Sequence, residues 1–294
     1  MRFDEFVDVV KEIRDYLPKT FAEAGVELKT VTKNNGVELT GLIIRREASN
    51  ICPTIYLDPY YEAYKAGEEM DKILREIADT RMRTDIKEPF DADQFMQFER
   101  VKELIVPRLV NKEQNSEQLT ERPYSVLADL AVTYHIMLFN GNASTPVTNN
   151  FMKEWGIKTE ELHETAIRNM LRLFPSTFRG MSVVVNELHP GYMDVLAPED
   201  EALFVLSNSG KMFGAAAILD NKFLRGIAER MGKELYVLPS SIHELLVVTP
   251  NVEKNLDELK EMVTSTNAST LDPEERLSDH VYRYNIETGL EIAC

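Results

Sequence analysis

The chain has 294 residues, 44% of them hydrophobic, enough to bury a core in one large domain or in two to three small ones. Forty-nine acids against 33 bases leave a formal charge of −16 spread along the sequence, so most of the surface repels a phosphate backbone, and nucleic acid is a poor partner. No apolar run reaches the roughly 18–20 residues that span a bilayer, the start MRFDEFVDVVKEIRDYL carries acids within an amphipathic pattern, and Cys52 and Cys294 supply neither a disulfide framework nor a zinc site, so a soluble cytoplasmic protein without membrane contact is expected.

Phe3, Phe6, Val7, Val10, Ile13 and Leu17 recur at helical spacing up to Pro18. Two β-branched stretches follow, Val26 to Thr32 and Val37 to Arg46, and Asn35-Gly36 between them suits the positive φ angles of a type I′ hairpin turn. Pro53 to Leu57 reads as a third strand, Asp58-Pro59 as a capped helix start, and Met70, Ile73, Leu74, Ile77 and Ala78 as the apolar face of another helix. This α-β-β-β-α pattern defines a first module, residues 1–88, followed by a linker-like DIKEPFDADQF.

A mainly helical middle module with one or two strands is expected over 89–178. Phe95, Phe98, Val101 and Ile105 form one helical face until Pro107. Asp129 to Phe139 alternates as a strand that is apolar on both sides, and VTNNFMKEWG and TEELHETAIRNMLRLF read as a short and a long helix. The last module, 179–294, begins with strands near Met181 to Val185 and Ala202 to Ser207. Lys211 to Val248 then reads as β-α-β-β: an apolar strand over Phe213 to Ile218, a helix capped by Asp220 and closed by Gly232, and two further strands. A helix around Leu256 to Val263, a polar loop over Ser265 to Pro273 and a closing strand over Val281 to Ile286 complete a mixed α+β chain.

The fragment PSSIHELLVV places a serine, a histidine and an acid within five residues. On a regular strand Glu244 faces away from His243, and the Cα atoms of Ser241 and His243 stand roughly 6.5 Å apart, too far for a direct nucleophile–base bond without an irregular backbone. Ser241 and His243 are therefore read as candidate binding residues at a strand end. A hydrolase using Ser241 or Ser240 with His243 is the alternative. The second candidate is YLDPYYEAY, where Tyr60, Tyr61 and Tyr64 fall on a helix start; they offer amphipathic contact area, or they pack that helix on its sheet.

The remaining patterns speak against other chemistry. NNFMKEW and TEELHETAIRNM have the length of a helix-turn-helix, but Glu160, Glu161 and Glu164 stand where a DNA-reading helix needs donors. The five histidines are dispersed, Asp91-Ala92-Asp93 lacks the rest of a calcium loop, and NSGK at Asn208 to Lys211 is a turn rather than a phosphate loop. No metal or cofactor is expected.

Three segments taken together, NNGVELTGLIIRREASNICPTIYLDPYYEAYKAG, FERVKELIVPRLVNKEQNSEQL and ELYVLPSSIHELLVV, resemble an uncharacterised family of intracellular proteins from gut Clostridia and related Firmicutes, classed as a domain of unknown function. The likeness covers nearly the whole chain; VPRLV, DLAVTY and EWGIKTEELHETAIRNM are similar, more distantly, to a second uncharacterised Firmicutes family. The resemblance implies a bacterial cytoplasmic protein and carries over no catalytic residue, cofactor or activity. The sequence therefore points to a non-catalytic binding or accessory protein for a protein or small-molecule partner.

Overall fold

Asn35 and Gly36 adopt φ angles of 60° and 69°, the left-handed pair that a tight hairpin requires. In the computed structural model, which describes residues 1–46, 52–85, 91–141, 143–239, 241–249 and 255–294 (without the side chains of Ala92 and Asn140), this turn joins β1 (Gly25–Thr32) to β2 (Glu38–Arg45). Strand β3 (Thr54–Tyr56) extends the antiparallel sheet in the order β1-β2-β3. Helices α1 (Phe3–Val10), α2 (Asp58–Lys65) and α3 (Met70–Arg83) accompany it, and Phe6, Val10, Leu42, Ile44, Leu57, Ile73 and Ile77 form a buried core.

Asp58 does not cap α2. Its carboxylate accepts the Thr40 amide of β2 at 2.8 Å, and Leu57 takes the cap position. This core belongs to one compact unit, Met1–Ala92; the rest of the chain, Asp93–Cys294, forms another. Residues 86–90 of the expected linker lie outside the described residues.

The second unit opens with short helical turns and α4 (Phe98–Val101), then β4 (Ile105–Asn111), α5 (Ser116–Leu119), β5 (Ser125–Leu127), β6 (Leu130–Leu138), β7 (Ala143–Pro146), α6 (Asn149–Trp155) and α7 (Thr159–Leu173). Four strands thus replace the one or two expected here. Pro107 lies inside β4 opposite Tyr134; β4 is an edge strand of the sheet, where a missing N–H is tolerated. Central β6 pairs with β4, β5 and β7 and is buried along nearly its whole length, in line with its two apolar faces. Helix α7 is held to β4 by buried Asn169, whose amide donates to the carbonyls of Lys102 at 2.6 Å and Ile105 at 2.9 Å.

A six-stranded antiparallel sheet follows: β8 (Ser176–Gly180), α8 (Met181–Leu188), β9 (Leu203–Asn208), α9 (Asn221–Met231), β10 (Glu234–Leu238), β11 (Leu245–Val248), α10 (Leu256–Ser269), β12 (Tyr282–Asn285) and β13 (Gly289–Ile292), in strand order β13-β12-β10-β11-β9-β8. Met181 to Val185, expected as a strand, is the helix α8. Glu201, twenty residues on, accepts both the amide (3.1 Å) and the hydroxyl (2.6 Å) of Ser182, satisfying a first-turn donor from outside the helix. Phe213 to Ile218 is no strand either. Phe213 sits at φ 52°, and Gly214–Leu219 is a 3-10 helix buried along most of its length, so the apolar run reports burial rather than extension.

Helix α9 is capped as expected, Asp220 accepting the Phe223 amide at 3.1 Å, with Gly232 left-handed at its end. Helix α10 runs to Ser269, through part of the segment expected to be a loop. Among the described residues no helix is long and apolar enough to cross a membrane, and no group of three or more histidine, cysteine or acidic side chains is arranged to hold a metal ion.

Candidate functional site

Ser241 and His243 do not lie on a strand. Strand β11 begins only at Leu245, and the preceding turn is closed by the Ser241 amide donating to the Glu244 carbonyl at 3.1 Å and by the His243 amide donating to Ser241 Oγ at 3.0 Å. The buried Ser241 hydroxyl is thereby an acceptor for its neighbour's backbone, as small hydroxyl residues are in turns. The His243 ring stacks on Phe213 with centroids 6.4 Å apart, and its Nε2 stands 3.7 Å from Glu275 Oε1. Ser240 lies outside the described residues.

Tyr60, Tyr61 and Tyr64 share α2, and each is half-buried against the core of the first unit. The Tyr60 hydroxyl bonds Thr80 Oγ1 at 3.0 Å, and that of Tyr61 donates to the Met1 carbonyl at 3.2 Å. The Tyr61 ring meets Phe3 edge-on at 5.0 Å and lies 5.3 Å from Phe6.

The second unit contains a cleft of about 310 Å³ that the sequence did not reveal. Its walls include Val126 and Val132 from one sheet, Ile218 and Leu224 from the 3-10 helix and α9, and Leu290 from β13. Ser125 and His163 also line it, and they are linked: Ser125 Oγ lies 2.7 Å from the Tyr134 hydroxyl, which lies 3.0 Å from His163 Nδ1. Burial pushes the Tyr134 phenol up to about 12, and burial lowers His163, so at neutral pH both are uncharged. Ser125 Oγ touches the phenol and no imidazole or carboxylate directly, so His163 reaches it only through Tyr134. The chain presents donors and acceptors in a hollow lined by both polar and apolar side chains.

A second polar cluster was equally hidden. Asp129, in the turn between β5 and β6, accepts from Ser278 Oγ at 2.6 Å and from the Tyr282 hydroxyl at 2.6 Å, and lies 3.0 Å from His280 Nδ1. It contains a serine, a histidine and an acid, but it is not a nucleophilic relay. Ser278 is buried and donates to the carboxylate, and the His280 nitrogen near it is the one the aspartate already engages. Burial raises the Asp129 pKa, but the bonds from Ser278, Tyr282 and His280 outweigh it and hold the carboxyl below its ordinary range. The sequence signal was the i, i+2, i+4 spacing of Ser278, His280 and Tyr282; their common acceptor is about 150 residues away in the chain.

Residues 3–286 match the family of unknown function DUF5688. The chain belongs to that family. The match spans both compact units, so the DUF5688 sequence includes the hairpin sheet as well as the cleft. No curated protein and no solved structure matches the chain.

Proposed function

We propose that this DUF5688 protein is a non-catalytic binding or accessory protein that takes a small ligand with both polar and apolar groups between Ser125, His163 and the walls of the second-unit cleft. The observation that carries this reading is the Ser125–Tyr134–His163 chain, three uncharged polar groups bonded to one another at the side of a hollow of mixed polarity. Such a hollow, with fixed polar groups beside apolar walls, suits binding and orientation, whereas nucleophilic catalysis needs a serine beside a competent base. The unpaired Cys52 and Cys294 support a reducing, cytoplasmic setting, and the resemblance noted above supports a Firmicutes origin.

Native mass spectrometry of the purified chain, with a thermal-shift screen of small metabolites, tests the reading. A bound or stabilising small molecule is expected, and Val126→Trp, at an exposed position on the cleft wall, should abolish it without lowering basal stability by more than about 0.5 kcal/mol. The hydrolase alternative makes the opposite demand. Covalent labelling of Ser241 or Ser240 by a fluorophosphonate, lost in His243→Ala, would establish it and sink the non-catalytic reading.

A further inference from the structure

Four side-chain nitrogens sealed from solvent lack a hydrogen-bond partner among the described residues, and three of them belong to side chains that pack against one ring. These three are Arg108 Nε, His135 Nε2 and His243 Nδ1, around Phe213. The Arg108 guanidinium lies over the Phe213 ring at 5.1 Å, and the His135 ring lies 5.1 Å from it at 57°. Strands β4 and β6 pair Val106 with His135 and Arg108 with Thr133, so Arg108 and His135 leave the same face of their sheet. Phe213 reaches that face because its backbone is left-handed and the next residue is glycine. A Cβ on Gly214 would collide with the His243 carbonyl and the Ser207 hydroxyl.

The chemistry of the missing partner follows from these groups. A guanidinium Nε–H can only donate, so what completes it must bring an acceptor. The charge demands the same sign. Arg122 faces both Arg108 and His135, and burial together with Arg122 pushes Arg108 down to about 10. Among the described residues no carboxylate comes within ion-pair distance of either guanidinium, although Glu274 acts on Arg108 and Glu121 on Arg122 from further off. Glu275 faces His243 Nε2 and favours the ring proton there, which leaves His243 Nδ1 an acceptor rather than a donor. His135 is only 5% exposed, and burial with the two arginines holds it neutral. Its Nδ1 lies 3.2 Å from Ser144 Oγ; accepting that hydroxyl there leaves the ring proton on Nε2, a second donor without an acceptor.

We propose that Arg108 and His135 form a binding site, against the ring of Phe213, for the oxoanion of a small molecule: a carboxylate or a phosphate group. Planar guanidinium forks suit both. The site is separate from the cleft and does not depend on the reading given to it.

Titration of the full-length chain with inorganic phosphate, and separately with acetate, decides the matter, followed by calorimetry and by NMR of the arginine Nε–H signals. One saturable site per chain is expected, with a displaced Arg108 Nε–H resonance, at least tenfold weaker binding in Arg108→Gln and unchanged binding in Val126→Trp. Phosphate without acetate assigns a phosphoryl group, and the converse assigns a carboxylate. If Arg108→Gln does not fold, the wild-type NMR titration and Arg108→Lys, which keeps the charge but removes the Nε–H, carry the test. An Arg108 resonance unmoved by either anion, or binding unchanged in the variants, overturns the proposal.

Discussion

Asp129 shows how much a single side chain holds in place. It accepts from Ser278 and from fully buried Tyr282, so Asp129→Ala strands the Tyr282 hydroxyl and leaves Ser278 with His280 Nδ1 at 3.2 Å. A buried hydroxyl left without an acceptor costs roughly 1–3 kcal/mol, and urea denaturation should show a loss in that range. Its folded pKa lies below the ordinary aspartate value of about 3.9, so the stability it contributes is present above that pH and is lost as pH falls through the folded pKa. Asp129→Asn should flatten the acid limb of a stability–pH curve. An unchanged limb would mean that the aspartate titrates alike in the folded and unfolded chains.

Among the elements, α3 shows where pattern reading succeeds and where it stops. Ile73, Leu74, Ile77 and Ala78 are buried as their spacing requires, and the same stripe continues to Arg81, which is also buried. The apolar pattern ended at Ala78, and spacing, which cannot reveal what a charge meets on the inner face, did not single out Arg81. Its Nε donates to the Ile44 carbonyl of β2 at 2.9 Å, its Nη1 pairs with Asp85 at 2.9 Å, and its guanidinium lies 4.8 Å over Phe21. Asp85→Ala leaves that cation buried without its carboxylate, also removes the 3.0 Å pair of Asp85 with Arg46, and should cost about 3–5 kcal/mol by chemical denaturation, most of it from the deeply buried Arg81. Arg81→Met combined with Asp85→Ala should cost clearly less. If the double variant loses as much as the single one, the unpaired charge is not the cause. The expected strands over Met181 to Val185 and Phe213 to Ile218 failed for a related reason: the apolar side chains of the first are only half-buried and those of the second are buried, but in both the partners that decide the shape, Glu201 and the packing around Gly214, are distant in sequence.

At the scale of the whole molecule, Met1–Ala92 has its own sheet, three helices and a continuous core. Residues 1–92 expressed alone should therefore unfold in one cooperative transition with dispersed methyl signals. Signals at random-coil positions would show that this core does not suffice. The second unit is bound across long chain separations, since Asn111 Nδ2 donates to the Leu277 carbonyl at 2.8 Å and Asp129 joins the loop before β12. The expected boundary near residue 178 falls within this unit, where β8 (Ser176–Gly180) pairs with β9.

Local pattern alone determined the mixed α+β class, the hairpin at Asn35-Gly36, the doubly buried strand β6 and the helix from Asp220 to Gly232, because each depends on neighbours within one or two turns of chain. Tertiary structure alone decided the cleft beside Ser125 and His163, the Asp129 cluster and the unpartnered nitrogens around Phe213. Their members come from separate strands and loops, and hydrogen bonding and charge act through space, with no trace in local periodicity.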